Sequence, residues 1–167
     1  MATTYTLISS VTVGSGGAAY VEFTSIPQTY TDLNIVISGR NTSSGDWFSM
    51  NFNGSTSTFT GKQIFANASA AYSYNKSNND EYGVIPNSST TANTFGSTSL
   101  YIPSYTSSNN KSFSIDSVTE NNGATAYAVF TAGLWSTSSA ITSVRLTISA
   151  NTFAEYSTAY LYGISNA

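Results

Sequence analysis

The chain has 167 residues, of which only 8% are charged, with no His, no Cys and a formal net charge of −3. Five scattered cations (Arg40, Lys62, Lys76, Lys111 and Arg145) cannot neutralise a run of phosphates, which disfavours nucleic acid as a partner. Lack of His and Cys removes the commonest general base, the best nucleophile, thiolate metal sites and disulfides.

Ser, Thr and Asn make up about two-fifths of the residues and alternate with Val, Ile, Phe and Tyr. That texture keeps a β surface wet without charge, and period-2 alternation recurs from end to end. Residues 4–13 read as a first strand with Tyr5, Leu7, Ser9, Val11 and Val13 on one face. MATTYTLISS lacks a basic stretch ahead of an apolar core, so it is not a secretory signal and cytoplasmic synthesis is expected. Gly14–Gly17 lacks the Lys-Ser/Thr of a phosphate loop and precedes a strand, so it reads as a hairpin turn. A second strand over 18–25 sets Val21 and Phe23 against Tyr20, Glu22 and Thr24. Over 32–39, Leu33, Ile35 and Ile37 point inward, and over 47–53 Phe48, Met50 and Phe52 do so. A shorter, weaker strand is expected around 63–66.

Residues 67–96 stand apart as a long Asn/Ser/Tyr-rich loop containing Tyr72, Tyr74, Tyr82 and the acidic pair Asp80-Glu81. Long irregular stretches in a compact domain are functional or disordered. Alternation resumes over 98–102 and 111–118. Residues 125–135 are apolar on both faces, which predicts a central strand covered on both sides, and Asn121-Asn122-Gly123 before it reads as a turn. Strands over 141–149 and 157–164 complete the chain, the last with Tyr160, Tyr162 and Ile164 packing as an aromatic strand. Nine or ten strands and almost no helical periodicity predict an all-β single domain over 1–167, an antiparallel β-sandwich or jelly roll whose strand order the pattern leaves open.

Few residues carry chemistry. The carboxylates Glu22, Asp32, Asp46, Asp80, Glu81, Asp116, Glu120 and Glu155 sit on outer faces or at strand ends, where solvated or turn-forming roles outweigh a glycosidase pair. Asp80-Glu81 and Asp116/Glu120 offer oxygen ligands to Ca²⁺ without the spacing of a calcium loop. No enzyme activity, cofactor or metal is therefore expected. Six N-x-S/T sequons (at Asn41, Asn53, Asn67, Asn75, Asn87 and Asn110) are about what chance gives at this Ser/Thr content. Tyr72, Tyr74, Tyr82, Tyr101 and Tyr105 fall in loops or on polar faces, where they could anchor a protein interface or stack on sugars. Low charge makes such a surface cheap to desolvate and favours the protein contact.

The opening, with Val21, Phe23, Ile26, Pro27, Tyr30, Thr31, Asp32 and Leu33 in a V-x-F…I-P…Y-T-D-L frame, resembles virion proteins of tailed bacteriophages, cyanophages and marine phages especially. Phe52-Asn53-Gly54, Gly133-Leu134-Trp135 and Ala159–Ile164 extend the likeness, which leaves out 67–96. It implies a jelly-roll-like virion component, structural, decoration or tail-associated; small size and the lack of fibre repeats or a coiled-coil anchor favour a capsid decoration (cement) protein bridging capsomers, with the major capsid protein and copies of itself in a homotrimer as expected partners. The alternative it implies is a tail-fibre or receptor-binding module that recognises host surface polysaccharide through the Tyr-rich segment.

Overall fold

The computed structural model describes residues 4–119, 126–148 and 151–165. These form twelve antiparallel strands in two sheets, and no helix is present among the described residues. They are β1 (Tyr5–Thr12), β2 (Tyr20–Phe23), β3 (Asp32–Gly39), β4 (Trp47–Phe52), β5 (Phe59–Ala66), β6 (Ala71–Ser77), β7 (Glu81–Val84), β8 (Gly96–Ile102), β9 (Lys111–Val118), β10 (Ala128–Trp135), β11 (Val144–Ile148) and β12 (Thr158–Ile164). One sheet has eight strands in the order β1-β12-β3-β8-β9-β10-β5-β6, the other four in the order β2-β11-β4-β7. The chain is thus an all-β, β-sandwich-type protein. Its pairings are nested: β1 with β12, β2 with β11, β3 with β8 and β4 with β7. The β5–β6 hairpin and the β9–β10 hairpin prolong the larger sheet beyond β8.

The facing sides of the two sheets share one apolar core. Alternation works as expected in β3, where Leu33, Ile35 and Ile37 are buried, and in β4, where Phe48, Met50 and Phe52 are. Aromatic rings knit the sheets together. Phe52 of β4 lies 5.5 to 5.7 Å, centroid to centroid, from Phe59, Phe113 and Trp135 of the larger sheet. Such edge and tilted pairs add about 0.5–1.5 kcal/mol each beyond the area they bury. Room for Phe113 is made by Gly133, opposite it on β10, where any Cβ would overlap the ring. Gly163 makes the same allowance for Tyr30.

Several expectations are corrected. The segment 67–96 is not one long loop: β6 and β7 lie inside it. The stretch that follows β7 is tied down by Arg40, whose guanidinium donates to the carbonyls of Thr90, Thr91 and Thr94. A β-bulge between Leu7 and Ser9 splits β1, so Tyr5 and Leu7 face away from the core while Ile8 and Val11 pack against it. Gly14–Gly17 is a turn but not a hairpin, because β1 and β2 belong to different sheets. In β12 the buried positions are Ala159, Leu161 and Gly163, leaving Tyr160, Tyr162 and Ile164 on the opposite face. Strand β10 is central, yet one side of it is open: Phe130 is 52% exposed. The Asn121-Asn122-Gly123 turn, Glu120, Thr125 and Ser149 lie outside the described residues.

Candidate functional site

Two surfaces stand out, on opposite sides of the larger sheet. The first is the face turned away from the core. Strand register places Tyr5, Leu7, Val36, Tyr101 and Tyr160 at one end of it and Val118, Phe130 and Ile64 at the other. All eight are more than a third exposed, and they are two-thirds of the twelve large apolar side chains so exposed among the described residues. Ser97, Ser99, Ser114 and Asp116 run between the two groups, so the exposed apolar side chains form two patches on one face. Clustering of this kind, unlike scattered apolar exposure, marks a contact surface. Its charged positions are Asp32, Lys62 and Asp116, and Asp32 is engaged. The Asp32 carboxylate accepts from the Tyr101 hydroxyl and from the Ser104 N–H, both at 2.8 Å. Burial first, and then this carboxylate, push the Tyr101 hydroxyl up to about 12. A groove of about 550 Å³ crosses the far end of the sheet beside Lys62, Ala132 and Leu134. The outer face of the smaller sheet is different in kind. There Arg145 makes a two-pronged ion pair with Glu22 (3.1 and 3.0 Å) and lies over the Tyr20 ring.

The second surface is an aromatic cluster on the core side of β5 and β6, where the larger sheet runs out to its β6 edge. Cross-strand register sets Phe65 opposite Tyr72 and Gln63 opposite Tyr74. Phe65 stacks on Tyr72 at 4.9 Å and on Tyr74 at 5.5 Å, with the Tyr74 ring tilted only 6° from it. Trp47 meets the edge of Phe65 at 5.6 Å, and Tyr127 closes the group at 6.0 Å. The Lys76 ammonium lies 5.5 Å from the centre of the Trp47 ring. Beside these rings runs a cleft of about 280 Å³, lined by Trp47, Gln63, Phe65, Tyr74, Lys76 and Glu81.

Of the five tyrosines singled out from sequence, Tyr72 and Tyr74 are brought together here, 40% and 48% exposed. Tyr101 lies on the other surface. Tyr82 and Tyr105 are fully buried, contrary to expectation. The Tyr82 ring belongs to the aromatic core, with its hydroxyl donating to the Asn78 carbonyl at 3.0 Å, and the Tyr105 hydroxyl donates to the Pro27 carbonyl. Sequence reading missed Trp47, Gln63, Phe65 and Lys76 in the cleft, and Ile64 and Phe130 on the outer face. Only the two-sided apolarity of β10 signalled the latter.

The acidic candidates are dispersed. Asp80 accepts from the Ser77 N–H in the turn before β7, and no group of three or more metal-ligating acidic side chains occurs among the described residues. Burial pushes the Asp46 carboxyl up, partly offset by a hydrogen bond from Asn87. Comparison with known proteins finds no matching family model, no curated relative and no similar solved structure.

Proposed function

We propose that the chain is a non-enzymatic structural protein of a tailed-phage virion, a capsid decoration (cement) protein that assembles as a homotrimer through the outer face of its larger sheet. The observation that carries this reading is that face itself: exposed, nearly uncharged, and carrying an apolar patch at either end. Eight strands about 4.8 Å apart and about seven residues long present roughly 900 Å², close to the roughly 800 Å² each partner contributes to a standard stable interface. One Lys and two Asp across it leave little like-charge repulsion between copies, so a second copy of the chain is the occupant the surface fits. The ion-paired, polar outer face of the smaller sheet stays wet.

The nested strand pairing supports the same reading. Pairing first with last, second with next-to-last and so on inward is what a long hairpin gives when rolled into two sheets, so we infer a jelly roll, enlarged by two hairpins on one sheet. Jelly rolls recur in viral capsid proteins and lectins, and the likeness of Val21–Leu33 and Ala159–Ile164 to phage virion proteins points to the former. The capsid's own major protein would then meet the assembled trimer, placing it on the particle exterior.

Sedimentation equilibrium of the recombinant chain tests the assembly step. A trimer is expected, reduced to a folded monomer by the double variant Ile64→Glu/Phe130→Glu. A strictly monomeric chain at about 100 µM, well above the weakest standard-size affinities, would overturn it. Placement is tested by quantitative mass spectrometry of purified particles. Hundreds of copies per virion are expected, a few dozen would move the protein to the tail, and none would retire the virion reading.

A further inference from the structure

The aromatic cleft at the β6 edge has the makings of a ligand site that assembly does not use. It lies on the core side of the larger sheet, whereas the proposed trimer contact is on the opposite side, so the cleft stays open when that contact forms. Three observations define what it could hold. Tyr72 and Tyr74 are held flat by stacking on Phe65, yet each remains close to half exposed. Such pinned rings offer apolar faces at little further cost in conformational entropy. Next to them, Gln63 is buried with its amide nitrogen donating to the Tyr82 carbonyl at 3.1 Å and to the Thr131 hydroxyl at 3.0 Å. Because the carbonyl can only accept, the amide orientation is fixed, and Oε1 is left as a buried acceptor with no partner. Buried polar atoms are rarely unpaired, and such an acceptor beside a cleft is one that a ligand hydroxyl can complete. Finally, Lys76 and Glu81 line the cleft together, so its fixed charges cancel.

We propose that this cleft binds a pyranose ring of a neutral polysaccharide. Flat rings beside hydroxyl-binding polar groups suit a sugar, which has an apolar C–H face and a rim of hydroxyls. The cancelled charge favours neutral over sulfated or sialylated chains. A nucleobase would also stack, but the chain lacks the cationic track that holds a phosphate backbone. At about 280 Å³ the cleft lies just under the roughly 300–1,000 Å³ of drug-sized pockets, so it seats one ring of a longer glycan.

The test is a glycan array followed by tryptophan-fluorescence titration with isomaltohexaose, cellohexaose and laminarihexaose. Of the two tryptophans, Trp47 lines the cleft and Trp135 is buried in the core, so Trp47→Phe assigns the signal. Saturable binding of at least one neutral glycan is expected, weakened at least tenfold in Tyr72→Ala and in Tyr74→Ala. Binding by the Ile64→Glu/Phe130→Glu variant should be unchanged, which separates the cleft from the assembly surface. No response across the array and the three hexaoses would overturn the proposal. So would undiminished binding by both cleft variants, or a preference for sulfated or sialylated glycans.

Discussion

Asn53 sits in the left-handed region at φ +53°, followed by Gly54 at +72°, and its side chain ties the end of β4 to the segment before β11. Its Oδ1 accepts from the N–H groups of Thr142 (2.7 Å) and Ser143 (3.0 Å), and its Nδ2 donates to the Ala140 carbonyl at 2.8 Å. Asn tolerates that backbone and supplies both kinds of hydrogen bond, which Ala cannot. Asn53→Ala is expected to cost about 2–3 kcal/mol in urea unfolding, without changing the m-value. The Phe52-Asn53-Gly54 motif was visible in the sequence, but its distant partners were not. Burial of Tyr82, and secondarily the charge of Asp80, push its hydroxyl up to about 12. The native state therefore keeps the proton after an unfolded tyrosine, near pH 10, has lost it. Stability from this group is complete below pH 10 and drains away as pH climbs through about 12. Urea unfolding at stepped pH should show that loss, and Tyr82→Phe should flatten it. Lys111 has the opposite sign, since burial lowers its pKa and so penalises its charged form in the native state. Lys111→Met should accordingly be more stable than the parent at pH 7, by an amount that shrinks as pH approaches 10.

Among the elements, β6 was hidden from sequence reading for a physical reason. AYSYNKS alternates small polar residues with tyrosines, and at the sheet edge six of its seven residues are exposed, so no buried aliphatic face announces a strand. Its cover comes instead from Phe65 on the neighbouring strand. Tyr82 and Tyr105 misled for a related reason: an amphipathic ring flanked by turn residues reads as surface, and nothing local says that the hydroxyl will find a backbone carbonyl. Strand β3 was legible because Leu33, Ile35 and Ile37 have no such ambiguity. The bulge in β1 left no trace in a pattern that alternates plausibly on either side of it. Deleting Ile8 should remove that bulge and the packing of Ile8 against the core while keeping both registers, since Leu7 and Ser9 already pair with the consecutive Tyr162 and Leu161. A loss of roughly 1–3 kcal/mol is expected, with hydrogen-exchange protection falling in β1 and β12 first.

For the whole molecule, nested pairing makes the last strand indispensable. Strand β12 lies between β1 and β3 and buries Ala159 and Leu161, so a chain ending at residue 157 leaves two sheet edges unpaired in the middle of the larger sheet. Such a truncation should show no cooperative thermal transition by circular dichroism, and intact chains should fold only after β12 is available. Contacts this distant in sequence also predict slow folding, on the millisecond-to-second scale of sandwich proteins. The all-β class was legible because alternation is a local property. The eight-and-four division of strands and the open outer face were not, because both depend on which strands meet. The pairing of β1 with β12 brings the Ser165 N–H to within 3.0 Å of the Thr4 carbonyl. Nature has therefore already brought the two ends of the sandwich together, and a linker of a few residues should join them into a ring at little entropic cost. Such a circle offers exopeptidases no starting point, and it can be reopened at the exposed turn after β4 to give a permuted chain with the same sheets.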